Sequence, residues 1–215
     1  FEIWTCGCAD GDAAVAMVET LTQRLGDWRA LVNCAAIFDP DRVTALDPET
    51  NARTMQINAR TPTRMAQAYL AGAQAPGGRR VIQLTDQKLA NPNPDFFSYT
   101  MSKHAVAATV PMLAMGAAGA RDRVYALAPG AILASHDQSE EETEISHRMN
   151  LLGRKTGADE VADAALFLAA GHLVSQLVAG RLADLARGDG TRQHGRVLDG
   201  HCPPLRHERQ GRMTG

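Results

Sequence analysis

The 215-residue sequence predicts an α/β fold in which helices cover both faces of a parallel sheet. Three observations carry this expectation. Short apolar runs alternate with helical patterns along most of the chain. Polar residues gather just beyond the ends of several of those runs. From about Arg187 onward the periodic hydrophobicity is lost, and Gly, Arg and His take over. The expected organisation is one domain over 1–186 and an irregular or disordered tail over 187–215.

The elements follow in order. Phe1 to Cys8 reads as a short strand. Val15, Val18, Leu21 and Leu25 recur at helical spacing between Ala13 and Leu25, with Asp10 and Asp12 available as caps and Gly26 as terminator. Ala30-Leu31-Val32-Asn33 is an apolar strand, followed by a turn-rich loop at Asp39-Pro40-Asp41. A long helical pattern covers about Pro48 to Ala73, and Pro62 predicts a kink because it has no N–H to donate. Gly77-Gly78 marks a turn and Val81 to Leu84 a strand. Ser98 is the expected cap of the next helix, which Pro111 must bend. Val124 to Ala128 is a strand stopped by Pro129-Gly130. Glu160 to Ala170 is a helix with Val161, Ala165 and Leu168 on one face.

Charge excludes some functions. Lys and Arg total 22 against 24 Asp and Glu, so a net charge of −2 gives no electrostatic footprint for nucleic acid or an anionic membrane surface. No apolar run is long enough to span a bilayer. Cys6, Cys8, Cys34 and Cys202 fit neither zinc-site nor disulfide spacing, which points to a reducing, cytoplasmic setting. His194, His201, Cys202 and His207 in the tail match no metal-ligand pattern either, so no metal is expected.

The chemistry concentrates between Thr85 and Lys103. Tyr99 and Lys103 are four apart and share a helix face. A free tyrosine titrates near ~10 and is a poor proton donor or acceptor at neutral pH, and a nearby ammonium lowers that value. A Tyr-x-x-x-Lys pair therefore suits proton transfer to a carbonyl or imine. Asp86 precedes Tyr99 by 13 positions, at the end of a strand, and Asn33 and Pro129-Gly130 end two others. In an open α/β sheet, ligands bind beyond the carboxyl ends of the strands. Asn58 lies in the long helix between them.

These motifs resemble the short-chain dehydrogenase/reductase superfamily over most of the chain, roughly 1–185. Its Asn-Asn-Ala-Gly motif appears as Asn33-Cys34-Ala35-Ala36, its helix asparagine as Asn58, its Tyr-x-x-x-Lys as Tyr99 and Lys103, and its Pro-Gly as Pro129-Gly130. Leu152-Gly153-Arg154 and Asp159-Glu160-Val161-Ala162 resemble the lead-in to its last large helix. The resemblance implies a Rossmann-like sheet and an NADP(H)-dependent oxidoreductase. Asn58, Asp86, Tyr99 and Lys103 would be catalytic, with Tyr99 giving the proton, Lys103 lowering its pKa and Asn58 holding a relay water. Asp10, Asn33, Ala35, Tyr99, Lys103, Pro129 and Gly130 would meet the cofactor, Asp10 near its adenine.

Most members carry serine where Asp86 stands. Aspartate there resembles the pteridine reductases and dihydromonapterin reductases, and Leu84-Thr85-Asp86-Gln87-Lys88-Leu89-Ala90-Asn91-Pro92 is most similar to the latter. The implied substrate is a pterin-like ring, held by Asp86 and by Phe38, which matches an aromatic that stacks on the pterin. The bottom-up alternative for Phe38 is a core or loop anchor. A homo-oligomer, dimer or tetramer, is implied through the two long helices and their small residues Ala66, Ala68, Ala71, Ala105, Ala107 and Ala108. The family opens with a glycine-rich strand–turn–helix that cradles the pyrophosphate. This chain is expected to start at the family's third strand, N-terminally truncated and with weak cofactor binding. A degenerate non-catalytic homologue and a small-molecule binding module are the alternatives. Val178 to Leu182 is the preferred final strand, ahead of Arg196 to Gly200.

Overall fold

A computed structural model describes residues 6–133, 139–150 and 153–170. Strands β1 (Ala30–Asn33), β2 (Arg80–Leu84) and β3 (Arg123–Leu127) form a parallel sheet in the order β1-β2-β3. The helices are α1 (Gly11–Arg24), α2 (Pro48–Met55), α3 (Thr61–Gly72), α4 (Phe97–Gly116), α5 (Glu140–Arg148) and α6 (Ala158–Ala169).

Register explains the two layers. Leu31, Val81 and Val124 are cross-strand partners and point to one face, where they pack on Val18 of α1 and Ala66 and Tyr69 of α3, with Val110 and Leu113 of α4 alongside. Val32, Ile82 and Tyr125 are the next partners and point to the other face. There Leu168 of α6 covers Ile82 and Tyr125, while Val32 on β1 stays 42% exposed. The predicted Rossmann-like α/β fold with helices on both faces is found. Ala66 is fully buried in this core, so it is not available to a partner subunit as the oligomer expectation required; Ala71 and Ala108 are exposed.

Several local expectations change. Cys6 to Cys8 belong to no strand; a turn closes there, with the Asp10 N–H donating to the Gly7 carbonyl, and the rest of the expected first strand lies outside the described residues. Asp10 caps α1 by accepting from the Asp12 and Ala13 amides, whereas Asp12 pairs with Arg64. The chain leaves α1 at Leu25 in an extended conformation, so Gly26 supplies no left-handed terminator. The kink expected at Pro62 is a π-helical turn, Gln56–Arg60, joining α2 to α3; the Thr61 N–H reaches back to the Gln56 carbonyl. Pro62 has no amide hydrogen and its ring crowds the carbonyl four residues back, that of Asn58, which widens the turn.

Ser98 is not the cap of α4. The helix begins at Phe97 after Phe96 in a left-handed conformation (φ 56°, ψ 46°), and the Ser98 N–H and Oγ instead donate to the Asp41 carboxylate. Helix α4 extends past Pro111 to Gly116. Helix α5 was not expected, although Ser139 and Glu142 form the reciprocal capping box that Ser-x-x-Glu announces. The tail 187–215 and both candidate final strands lie outside the described residues.

The turns that feed β2 and β3 are tied by one ion pair. Asp122, 3% exposed at its side chain, accepts from the Arg79 guanidinium, the Arg79 amide and the Gly119 amide. Beside it Gly78 has φ 92°, and a Cβ there would lie 2.4 Å from the Arg121 carbonyl oxygen, which admits only glycine. Burial alone would raise the Asp122 carboxyl, but the Arg79 hydrogen bonds outweigh it and hold the carboxyl below its usual range. Asp122→Ala should cost about 3–5 kcal/mol, because it leaves a buried guanidinium unpaired. The pair's contribution should be complete above the unfolded carboxyl value of ~3.9 and fade as pH falls through the lower folded value. Chemical denaturation of both proteins across acid pH measures it, and a gap that does not close in acid would contradict this account.

Candidate active site

The ends of β2 and β3 build the site. Beyond β2, the Thr85 N–H and Oγ1 still donate to the Leu127 carbonyl at 2.8 and 3.2 Å. The Gln87 N–H then donates to the Pro129 carbonyl at 3.1 Å, which brings Pro129-Gly130 alongside Asp86. One Asp86 oxygen accepts the Lys88 amide at 2.8 Å and caps a short 3₁₀ turn, Gln87–Leu89. The other accepts the Tyr99 hydroxyl at 2.6 Å.

Tyr99 and Lys103 lie one turn apart on α4, 7% and 4% exposed. The Lys103 ammonium donates to the Leu84 carbonyl at 2.8 Å and sits 5.5 Å from the Tyr99 ring centroid. Burial, the Asp86 charge and the hydrogen bond to it drive the Tyr99 phenol far above its usual range. The expectation that Lys103 lowers this pKa is therefore corrected. The nearest charge to the hydroxyl oxygen is a carboxylate that accepts its hydrogen bond, and it favours the neutral phenol. Burial pushes the Lys103 ammonium down, opposed by Asp86 and Cys34.

Asn58 is 2% exposed within the π turn. Its Oδ1 accepts the Ile37 amide at 2.8 Å, and its Nδ2 donates to the Ile37 carbonyl at 2.9 Å and to Ser102 Oγ at 3.1 Å. Both amide hydrogens are thus used, so the side chain does not donate to a relay water. Ser102 in turn donates to the Tyr99 carbonyl at 2.6 Å. Asn58 positions the Ile37–Phe38 loop against the helix of Tyr99.

Phe38 contacts two other aromatic rings. Its ring stacks on Phe96, with centroids 3.9 Å apart and planes 7° apart, and meets Tyr99 edge-on at 4.6 Å. Lys88 Nζ lies 5.6 Å from the Phe96 ring centroid and donates to Asn93 Oδ1 at 2.8 Å. The Asn33 amide nitrogen donates to the Pro62 carbonyl and Gln83 Oε1, tying β1 to α3 and β2. Ala35 is exposed in the loop after β1, and Asp10 sits apart at the start of α1. Asp86, Tyr99, Lys103, Asn58, Phe38 and Pro129-Gly130 come together; Asp10 does not join them.

Ser102, Asp41 and Phe96 were missed. Ser102 precedes Lys103 on the buried side of α4, a signal that helical spacing from Tyr99 contained. Asp41 acts across 57 positions, beyond any local pattern.

A family model described as enoyl-(acyl carrier protein) reductase matches residues 2–180. The chain belongs to the short-chain dehydrogenase/reductase superfamily. It is 31% identical over 144 residues to an NADPH-dependent aldehyde reductase 2, chloroplastic, of Arabidopsis thaliana, covering 65% of this chain and 53% of that protein. It is 28% identical over 160 residues to the human dehydrogenase/reductase SDR family member 4, covering 72% and 57%. This short-chain dehydrogenase/reductase thus spans a little over half the length of those relatives. Among solved structures, a FolM alternative dihydrofolate reductase 1 from Brucella canis complexed with NADP superposes with TM-score 0.73 at 28% identity, over 81% of this chain and 68% of that one.

The Tyr99 ionisation is measurable. Tyr99 should stay protonated through the range in which an exposed tyrosine ionises, near ~10. Asp86→Asn removes a charge that opposes the phenolate, so the Tyr99 midpoint should fall. Phenolate absorbance, assigned against Tyr99→Phe because buried Tyr69 is itself pushed up to about 12, reads this directly. An unchanged midpoint in Asp86→Asn would show that the carboxylate does not control the phenol.

Proposed function

We propose that this chain carries the proton-transfer centre of an NADPH-dependent reductase acting on a pterin-like ring. The observation that carries the reading is the 2.6 Å hydrogen bond from Tyr99 to Asp86. It keeps the phenol protonated beside the carboxyl ends of β2 and β3, where a reductase needs an acid.

Lys103 fits the cofactor. An ammonium has three donors, and the Leu84 carbonyl takes one, so two remain for the hydroxyls of a nicotinamide ribose. Its burial makes each added acceptor worth more. Asn33 Oδ1, which has no partner among the described residues, and the Pro129-Gly130 backbone flank the same end. When bound, NADPH supplies the hydride. Tyr99 holds the transferable proton at its hydroxyl. Asp86 keeps it there and offers an acceptor-only edge to the N–H groups of a pterin. Asn58 contributes to a relay through its main-chain carbonyl, which Pro62 deprives of its α-helical donor. The likeness to two FolM alternative dihydrofolate reductases with NADP supports both the cofactor and a pterin-related substrate.

In the full-length protein, Tyr99→Phe should lower kcat by ~10²–10⁴-fold, the range for losing a general acid. Asp86→Ser should lower kcat/KM for dihydropterin relative to a simple ketone. NADPH oxidation with both substrates reads both variants. A Tyr99→Phe protein of parental activity would remove Tyr99 from the proton transfer, and an unchanged substrate ratio in Asp86→Ser would refute recognition of the ring by the carboxylate.

A further inference from the structure

The end of the sheet opposite Tyr99 is strongly basic. Arg29, Arg79, Arg80, Arg121 and Arg123 cluster at the amino ends of the strands with only Asp27 and Asp122 among them. That is five positive charges against two negative, in a chain whose net charge is −2. Arg79 and Asp122 neutralise each other. Asp27 is committed to Arg29.

Arg80 is different. It is 9% exposed, yet no carboxylate of the described residues lies within ion-pair distance of it. Its Nη1 donates to the Arg121 and Arg79 carbonyls at 2.7 and 3.1 Å, and its Nη2 makes only a long contact of 3.4 Å to the Gly77 carbonyl. Its Nε is buried without any acceptor. A buried guanidinium that has neutral carbonyls but no counter-charge, and one unsatisfied donor, is unfavourable as it stands.

Arg80 lines a cavity of about 400 Å³ with Asp27, Arg29, Gly77, Gly78 and Ala169. Arg29 reaches it from the exposed side and binds Asp27 through Nε and Nη2, which leaves Nη1 unused. The planar forks of two guanidiniums in one cavity match the oxygens of a carboxylate or phosphate group. Asp27 acts there as an internal competitor, occupying part of the Arg29 fork.

We propose that this cavity is a binding site for a small oxyanion, a phosphate or carboxylate group held between Arg80 and Arg29. It lies at the opposite end of β2 from Asp86, so it stands independently of the reductase reading, and substitutions here touch none of the groups assigned to proton transfer.

The test is calorimetric titration of the full chain with inorganic phosphate and, separately, with succinate, at constant ionic strength in chloride. Saturable one-to-one binding of either anion is expected, and the tighter of the two assigns the group. Arg80→Gln should weaken it by about ten-fold or more, as loss of a charge-assisted contact does. Arg29→Gln should also weaken it, and Asp27→Asn should tighten it by releasing the Arg29 fork. The last two residues are at the surface, so their variants give a decision even if Arg80→Gln does not fold. Absence of saturable binding by both anions, or affinities that Arg29→Gln and Asp27→Asn leave unchanged, would overturn the proposal.

Discussion

The site depends on the two-way hydrogen bond between the Asn58 side chain and the Ile37 backbone. A loop leaving a parallel strand has no ladder to fix it, and its amide and carbonyl must find partners elsewhere. Asn58 satisfies both groups of Ile37 with one side chain and still has a hydrogen left for Ser102. Three segments far apart in sequence are thereby held together: the loop of Phe38, the π turn and the helix of Tyr99. The π turn aims the side chain, and Pro62 produces the π turn. A residue that cannot donate a hydrogen bond thus governs where the helix of Tyr99 sits.

Electrostatics at the site departs from what the spacing of Tyr99 and Lys103 suggests on its own. Helical geometry places the two on one face, and it does so here. The sign of the effect on the phenol is set by which charge reaches the hydroxyl. Asp86 reaches it directly, and the Lys103 ammonium is drawn to the Leu84 carbonyl. The motif alone suggests a phenolate prepared by an ammonium; in the structure, burial and the adjoining carboxylate push the phenol toward its neutral form. The neutral form is the one that can donate a proton.

Three strands and their polar ends were legible in the sequence because short apolar runs and chain-stopping residues are local signals. Leu31, Val81 and Val124 each fall in such a run, and Asp86, Tyr99 and Lys103 converge as the motif order implied. Some departures share a cause. Ser98 has the composition of a cap, but Asp41 arrives from another loop and takes its amide and hydroxyl. Ala66 looks like a small residue for a subunit contact, but the turn of α3 points it into the core. The local pattern around Asn58 likewise contains nothing of Ile37 and Ser102, which take its side-chain hydrogens. Each outcome turned on a partner distant in sequence, which no local pattern encodes.

The Phe38–Phe96 stack has a consequence for affinity. With centroids 3.9 Å apart, the face of Phe38 toward Phe96 is already occupied by a ring of the same chain. A flat heterocycle that uses that face must displace Phe96, and its apparent affinity falls by the fraction of time the pair stays closed. Phe96 is thus an intramolecular competitor, always present at the same effective concentration. Its left-handed backbone, at φ 56°, works the other way, since a non-glycine residue held there stores on the order of 1 kcal/mol that release of the segment returns. The stack therefore sets a threshold for any flat ring that would take the place of Phe96.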